Sequence, residues 1–166
     1  MSQQEHKAAA PTAVRVAVLT VSDTRTEATD TSGRAIRALL EEAGHAVTAS
    51  AIVPDDPDAV TGFVLDQLET AAQVVITTGG TGITSRDSTY EAIDALLEKR
   101  LDGFGELFRM LSYHDIGAAA MMSRACAGLA RGKVVIALPG SEGAVRLAMT
   151  RLVVPELGHL VQQASK

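Results

Sequence analysis

One stretch of this chain holds residues that suit binding and charge chemistry: Thr77-Thr78-Gly79-Gly80-Thr81-Gly82-Ile83-Thr84-Ser85-Arg86-Asp87-Ser88-Thr89. Three glycines let the backbone approach a ligand and turn its amides toward it. The hydroxyls add donors, and Arg86-Asp87 adds a cation and an anion. An apolar run, Val74-Val75-Ile76, precedes the stretch as a buried strand, and a helical pattern follows. Strand, glycine turn and helix start together suit a phosphate-bearing ligand. The lone carboxylate of Asp87 needs another reason, and a bound cation supplies one. The loop has neither the Gly-Lys-Ser/Thr of a Walker A motif nor the Gly-x-Gly-x-x-Gly of a dinucleotide site. Spacing alone leaves a plain strand-to-helix turn as the competing reading.

Three more polar clusters stand directly after apolar runs: Ser22-Asp23, Pro54-Asp55 and Pro139-Gly140-Ser141. Asp56 precedes Pro57 and is the better helix cap, which leaves Asp55 available. Taken alone, Asp55 reads more simply as a turn residue. Ser22-Asp23 could cap the loop before the first helix. Ser141 could be an N-cap, although after Pro-Gly it also offers a hydroxyl and amides to an anion. His6, His45, His114 and His159 show no metal-ligand spacing. Cys126 has no motif around it and reads as a small buried residue.

These clusters need elements to position them. Strands are expected at residues 14–21, 46–53, 73–77 and 133–138. Helices are expected at 32–43, stopped by Gly44, and from Pro57, with Val60, Phe63, Val64, Leu68 and Ala71 inward. Ser88 and Glu91 match a capping box for the next helix. Another begins at Gly103, with Phe104, Leu107, Phe108 and Leu111 at helical spacing. Residues 116–125 are rich in alanine and other small residues, which allows close helix packing, and Pro155 should kink or split the last helix. Alternating strands and helices predict an α/β sheet covered on both faces. Ligands of such sheets bind beyond the carboxyl ends of the strands. If the strands run parallel, all four polar clusters share one edge.

With 46% hydrophobic but only 3% aromatic residues, the core must be built from Val, Ile, Leu and Ala. The 166 residues suit a single domain over 14–166 behind a loose tail at 1–13. A net charge of −5 argues against a nucleic-acid surface. No run is apolar enough for a signal peptide or a membrane span, and one cysteine fits a reducing compartment, so a cytoplasmic protein is expected.

In this order the motifs resemble the MogA/MoaB family of molybdenum-cofactor biosynthesis proteins, whose fold also serves as the adenylyltransferase domain of gephyrin-like proteins. The resemblance rests on Val21-Ser22-Asp23, on the 77–87 loop with Thr89 and Glu91, on Ser123-Arg124-Ala125 with Ala127-Gly128, and on Leu138-Pro139-Gly140-Ser141. Gly103-Phe104-Gly105-Glu106 adds to it, and the 111–128 stretch looks closer to the MoaB branch. The resemblance implies a three-layer α/β/α domain with a mostly parallel mixed sheet. It implies binding of molybdopterin and its adenylylation by Mg-ATP, giving adenylylated molybdopterin and pyrophosphate. Asp87 falls on the family's catalytic aspartate and Asp55 on its second acidic position, and the two are the implied Mg²⁺ ligands. Ser22, Asp23, Thr78, Gly79, Gly80, Thr81, Gly82, Arg86, Pro139, Gly140 and Ser141 are the implied substrate and nucleotide residues. Arg86-Asp87, lost in some MoaB-branch members, is intact, which favours the enzyme over a non-catalytic pterin-binding or scaffold protein. A nucleotide hydrolase on the same fold is a third reading. Tyr90 departs from the family, where proline is common. Family members are homo-oligomers, trimers or hexamers; the stripe Phe104, Leu107, Phe108, Leu111 is the candidate interface, with core packing as its competing reading.

Overall fold

Strands buried on both faces must be apolar at almost every position, because alternate side chains point to opposite layers. Such runs become the centre of the sheet in the computed structural model, which describes residues 2–166. Six strands, β1 Arg15–Val21, β2 Ala46–Val53, β3 Val74–Thr78, β4 Lys99–Arg100, β5 Cys126–Ala130 and β6 Lys133–Leu138, form one sheet in the order β2-β1-β3-β6-β5-β4. The pairs β1/β2, β1/β3 and β3/β6 are parallel, and β5 is antiparallel to both β4 and β6. The helices are α1 Gln3–Ala8, α2 Thr31–Glu42, α3 Pro57–Leu68, α4 Thr89–Leu96, α5 Asp102–Ile116, α6 Glu142–Ala148 and α7 Val154–Ala164.

Two cores flank the sheet. Val16 and Val18 of β1 pack with Ile36 and Leu40 of α2, Phe108 of α5, Val145 of α6 and Leu157 of α7. Ala17 and Leu19 of the same strand pack with Val60 and Val64 of α3 and Ile93 of α4. This is a three-layer α/β/α architecture with a mostly parallel mixed sheet, as expected. The parallel run β2-β1-β3-β6 brings the four polar clusters to one sheet edge. Among the described residues, no helix is long and apolar enough to cross a membrane.

Several elements differ from the sequence expectation. β5 was not expected, because Cys-Ala-Gly-Leu-Ala contains no β-branched residue. It is made by a two-residue hairpin to β6, whose Arg131 and Gly132 both have positive φ, 50° and 75°. Residues 117–122 form a 3₁₀ turn rather than a packed helix. Before Pro155 the last helix passes through a π turn, Met149–Val153, which absorbs the proline's missing N–H. Within the expected tail, Ser2 and Glu5 form a capping box for α1. That helix has no buried residue and touches α7 through a Lys7–Glu156 ion pair and a His6–His159 stack. The α5 stripe divides. Phe108 is core and Phe104 packs on the core, while Leu107 joins Met110, Tyr113 and Ile116 on an exposed outer face.

Candidate functional site

The chain leaves β1 for β2 on one side and returns to β3 on the other, so β1 and β3 flank a topological switch point. A cleft of about 640 Å³ opens there. Every candidate residue from the sequence lines it: Ser22 and Asp23 after β1, Asp55 after β2, Thr78 to Gly82 with Arg86 and Asp87 after β3, and Pro139, Gly140 and Ser141 after β6.

The glycine loop is shaped by close approach. Gly79 has φ +100°, and a Cβ there would lie 2.2 Å from the Val21 carbonyl oxygen. Its N–H donates to the Leu138 carbonyl at 3.0 Å, and Thr78 Oγ1 donates to the Pro139 carbonyl at 2.7 Å. These bonds tie the β3 loop to the β6 loop. Gly80 has φ +71°, and a Cβ there would lie 2.1 Å from Thr89 Oγ1 and 3.0 Å from Asp55 Oδ2. The Thr89 N–H closes the loop on the Gly80 carbonyl at 3.0 Å. The N–H groups of Gly80, Thr81, Gly82 and Ile83 meet no acceptor among the described residues. Successive free amides of this kind form an anion-binding concavity.

The carboxylates are placed by contacts the sequence did not show. Asp55 is buried, and its Oδ1 accepts from Ser88 Oγ at 2.8 Å and Ser88 N–H at 3.3 Å. Ser88 is therefore the N-cap of α4 by position only: the expected capping box is absent, because its hydroxyl serves Asp55 and Glu91 pairs with Arg124. Asp87 Oδ2 accepts from the Thr84 N–H at 2.8 Å and Thr84 Oγ1 at 2.7 Å. Asp55 Oδ2 and Asp87 Oδ1 have no hydrogen-bond partner among the described residues.

Asp23 joins three loops. Its Oδ1 accepts the Asp55 N–H at 3.0 Å, and Arg86 forks onto its carboxylate at 2.9–3.1 Å. The Asp55 N–H and then the Arg86 guanidinium hold the Asp23 carboxyl below its ordinary value. Asp23 in turn raises Arg86. Arg86 thus faces Asp23. Ser22 Oγ accepts from the Thr24 and Arg25 N–H groups, and Ser141 Oγ accepts from the Ala144 N–H at 3.3 Å, so both serve their loops. Ser32 Oγ donates to the Gly140 carbonyl at 2.7 Å.

The sequence reading missed one wall, Ala119, Met122 and Ser123, supplied by the 3₁₀ turn, and Arg25 and Ser32 near the α2 start. Ser123 was visible within the Ser123-Arg124-Ala125 motif but not as part of a wall.

Three aspartates, Asp23, Asp55 and Asp87, and two arginines, Arg25 and Arg86, line the cleft, so its side chains alone do not attract a polyanion. The free amides and a cation would have to do so. A Mg²⁺ fits the donor set, which offers one unbonded oxygen on each of Asp55 and Asp87. Among the described residues no group of three or more His, Cys, Asp or Glu is placed to hold a metal. A cation here would take its remaining ligands from phosphate and water, as Mg²⁺ commonly does.

Residues 17–159 match the family model described as a probable molybdopterin binding domain. The chain belongs to the MogA/MoaB family of molybdenum cofactor biosynthesis proteins. Molybdenum cofactor biosynthesis protein B of Bacillus cereus is 56% identical over 162 residues, 96% of each chain. Its Bacillus subtilis namesake is 53% identical over 168 residues, covering 100% of this chain and 99% of that one. A crystal structure of a molybdenum cofactor biosynthesis protein B superimposes with a TM-score of 0.90 at 54% identity, covering 93% of this chain and 98% of that one. The tungsten cofactor synthesizing protein MoaB from Pyrococcus furiosus does so with 0.86 at 39% identity, covering 95% and 100%. Within this MogA/MoaB member, Tyr90 occupies the first turn of α4, and its ring lies 4.9 Å from the Arg124 guanidinium carbon.

Proposed function

We propose that this MogA/MoaB protein is a Mg-ATP-dependent molybdopterin adenylyltransferase. The observation that carries this reading is the run of four free amides, Gly80 to Ile83, set beside two carboxylates that each keep an unbonded oxygen. In the reaction, a phosphate oxygen of molybdopterin attacks the α-phosphorus of ATP. The bond from that phosphorus to the bridging oxygen breaks, and pyrophosphate leaves with the electron pair. The attacking phosphate is already an anion, so no strong base is required. Alignment and charge neutralisation between two anions are required. The loop amides would hold phosphate oxygens and exclude water from them. Asp55 and Asp87 would hold the Mg²⁺ of Mg-ATP, which supplies neutralisation of phosphate charge. Asp23, by fixing Arg86 and the Asp55 backbone together, keeps three loops in register. ATP as co-substrate accords with a cytoplasmic protein.

One observation favours the rival reading of a non-catalytic pterin-binding or scaffold protein: Asp87 Oδ2 is committed to Thr84, which gives that aspartate a structural role. A mass-spectrometric assay with molybdopterin and Mg-ATP separates the two. Wild type should form adenylylated molybdopterin, and Asp87→Asn should lose turnover by about a hundredfold or more with its fold intact. Pterin retained without product would establish the scaffold instead. A folded Asp87→Asn protein with normal turnover would remove Asp87 from the chemistry.

The proposal includes a homo-oligomer, trimer or hexamer, formed through the outer face of α5. Leu107, Met110, Tyr113 and Ile116 there are 48–61% exposed, and Met121 of the neighbouring 3₁₀ turn is 76% exposed.

A further inference from the structure

Arg124 links the 3₁₀ wall to β5, yet it does not line the cleft. Its guanidinium stands behind the glycine loop. Nε donates to the Thr81 carbonyl at 3.2 Å and Nη2 to the Gly82 carbonyl. The two terminal nitrogens also fork onto the Glu91 carboxylate, which Arg124 holds below its ordinary value. The Tyr90 ring packs against the guanidinium face. Four groups from two segments thus converge on one side chain that is 28% exposed.

The consequence lies on the other side of the loop. A trans peptide is planar, so a carbonyl and the next residue's N–H point in opposite directions. Holding the Thr81 and Gly82 oxygens toward Arg124 aims the Gly82 and Ile83 N–H groups away from it. Those are two of the four amides with no acceptor, and Gly82 lines the cleft that Arg124 does not. Lysine could not make this set of contacts, because it lacks the planar fork that reaches two carbonyls and a carboxylate at once.

We propose that Arg124 is a positioning residue of the anion-binding loop. Together with Glu91 and Tyr90 it locks two peptide planes so that the Gly82 and Ile83 amides face the phosphates of a nucleotide. A proline at position 90 would offer no aromatic face to the guanidinium, so the tyrosine of this chain is part of the device. The identity of the anion rests on the adenylyltransferase reading; the locking of the amides does not.

Calorimetric titration of the full chain with inorganic pyrophosphate, with and without Mg²⁺, tests this on wild type, Arg124→Ala, Arg124→Lys and Tyr90→Leu. Loss of two aligned donors to a charged group should weaken Kd by about tenfold or more in Arg124→Ala. Arg124→Lys should recover part of that loss, and Tyr90→Leu should show a smaller loss of its own. In turnover, the KM for ATP should rise by a factor similar to that in Kd, and by more than kcat falls. A merely structural arginine would lower the folded fraction, and so the binding stoichiometry, at unchanged Kd and KM. Wild-type Kd in folded Arg124→Ala would overturn the proposal, as would absence of pyrophosphate binding by the wild type. If Arg124→Ala does not fold, wild-type Kd in both Arg124→Lys and Tyr90→Leu would overturn it. Arg124-dependent pyrophosphate binding without formation of adenylylated molybdopterin would sink the proposed function and leave this inference standing.

Discussion

Two glycines with similar backbone angles and different surroundings give a sharp test of the loop geometry. Gly44, which ends α2, has φ +88° and nothing within 4 Å of a built Cβ. Gly80 has φ +71°, but a Cβ there would meet Thr89 Oγ1 at 2.1 Å, Thr89 Cβ at 2.7 Å and Asp55 Oδ2 at 3.0 Å. Both substitutions to alanine incur the left-handed backbone penalty, about 1–2 kcal/mol. Only Gly80→Ala adds overpacking against a buried threonine, a further ~1–3 kcal/mol. Gly44→Ala should therefore cost about 1–2 kcal/mol and Gly80→Ala about 2–5 kcal/mol. For a chain of this length each kcal/mol lowers Tm by roughly 2–4 °C. Urea unfolding followed by circular dichroism, at one protein concentration, measures both. Gly80→Ala should also weaken pyrophosphate binding, because relief of the clash moves the first free amide of the loop, and Gly44→Ala should not. Equal losses of stability in the two variants would refute the close packing of Gly80 against Thr89 and Asp55.

Other expectations follow from the same structure. Burial pushes the Cys126 thiol from 9.0 up to about 11, so at pH 8 its alkylation by iodoacetamide should run roughly a hundredfold slower than that of an exposed cysteine and speed up on unfolding. The Arg100 fork on Asp94, at 2.7 and 2.9 Å, holds that carboxyl below its ordinary value. A depressed folded-state value means the pair's stabilisation is present above the unfolded value, about 3.9, and is lost as pH falls through the lower folded one. Acid titration of wild type and Asp94→Asn should show the stability difference shrinking below that pH, and a difference unchanged at pH 2 would argue against the pair. Tyr113→Glu and Met110→Glu on the exposed α5 face should give monomers by light scattering with little change in secondary structure; a wild type that is already monomeric at working concentration would refute the oligomer.

Much of the scaffold was legible because its signals are local. The apolar runs of β1, β3 and β6 mark strands buried on both faces whatever their neighbours, and Asp56-Pro57 and Gly44 mark helix ends within a few residues of themselves. The four polar clusters could be placed on a common edge once the strands were assumed parallel. β5 was not legible, because its residues have no strand preference and are held by pairing with β6. The 3₁₀ wall was likewise hidden, since small residues suit close helix packing equally well.

The amino-acid sequence by itself determined the alternating α/β pattern, the strand ends that carry the polar clusters, and the residue types needed for phosphate and cation chemistry. The tertiary structure alone decided how those residues are used. Ser88 turns from capping its helix to holding Asp55, 33 residues away. Arg86 is committed to Asp23 across 63 residues, and Arg124 grips the glycine loop from 43 residues away. The physical reason is that local backbone preference acts over a few residues, whereas a hydrogen bond or ion pair acts over about 3 Å, and only the order of strands in the sheet sets which distant residues come that close.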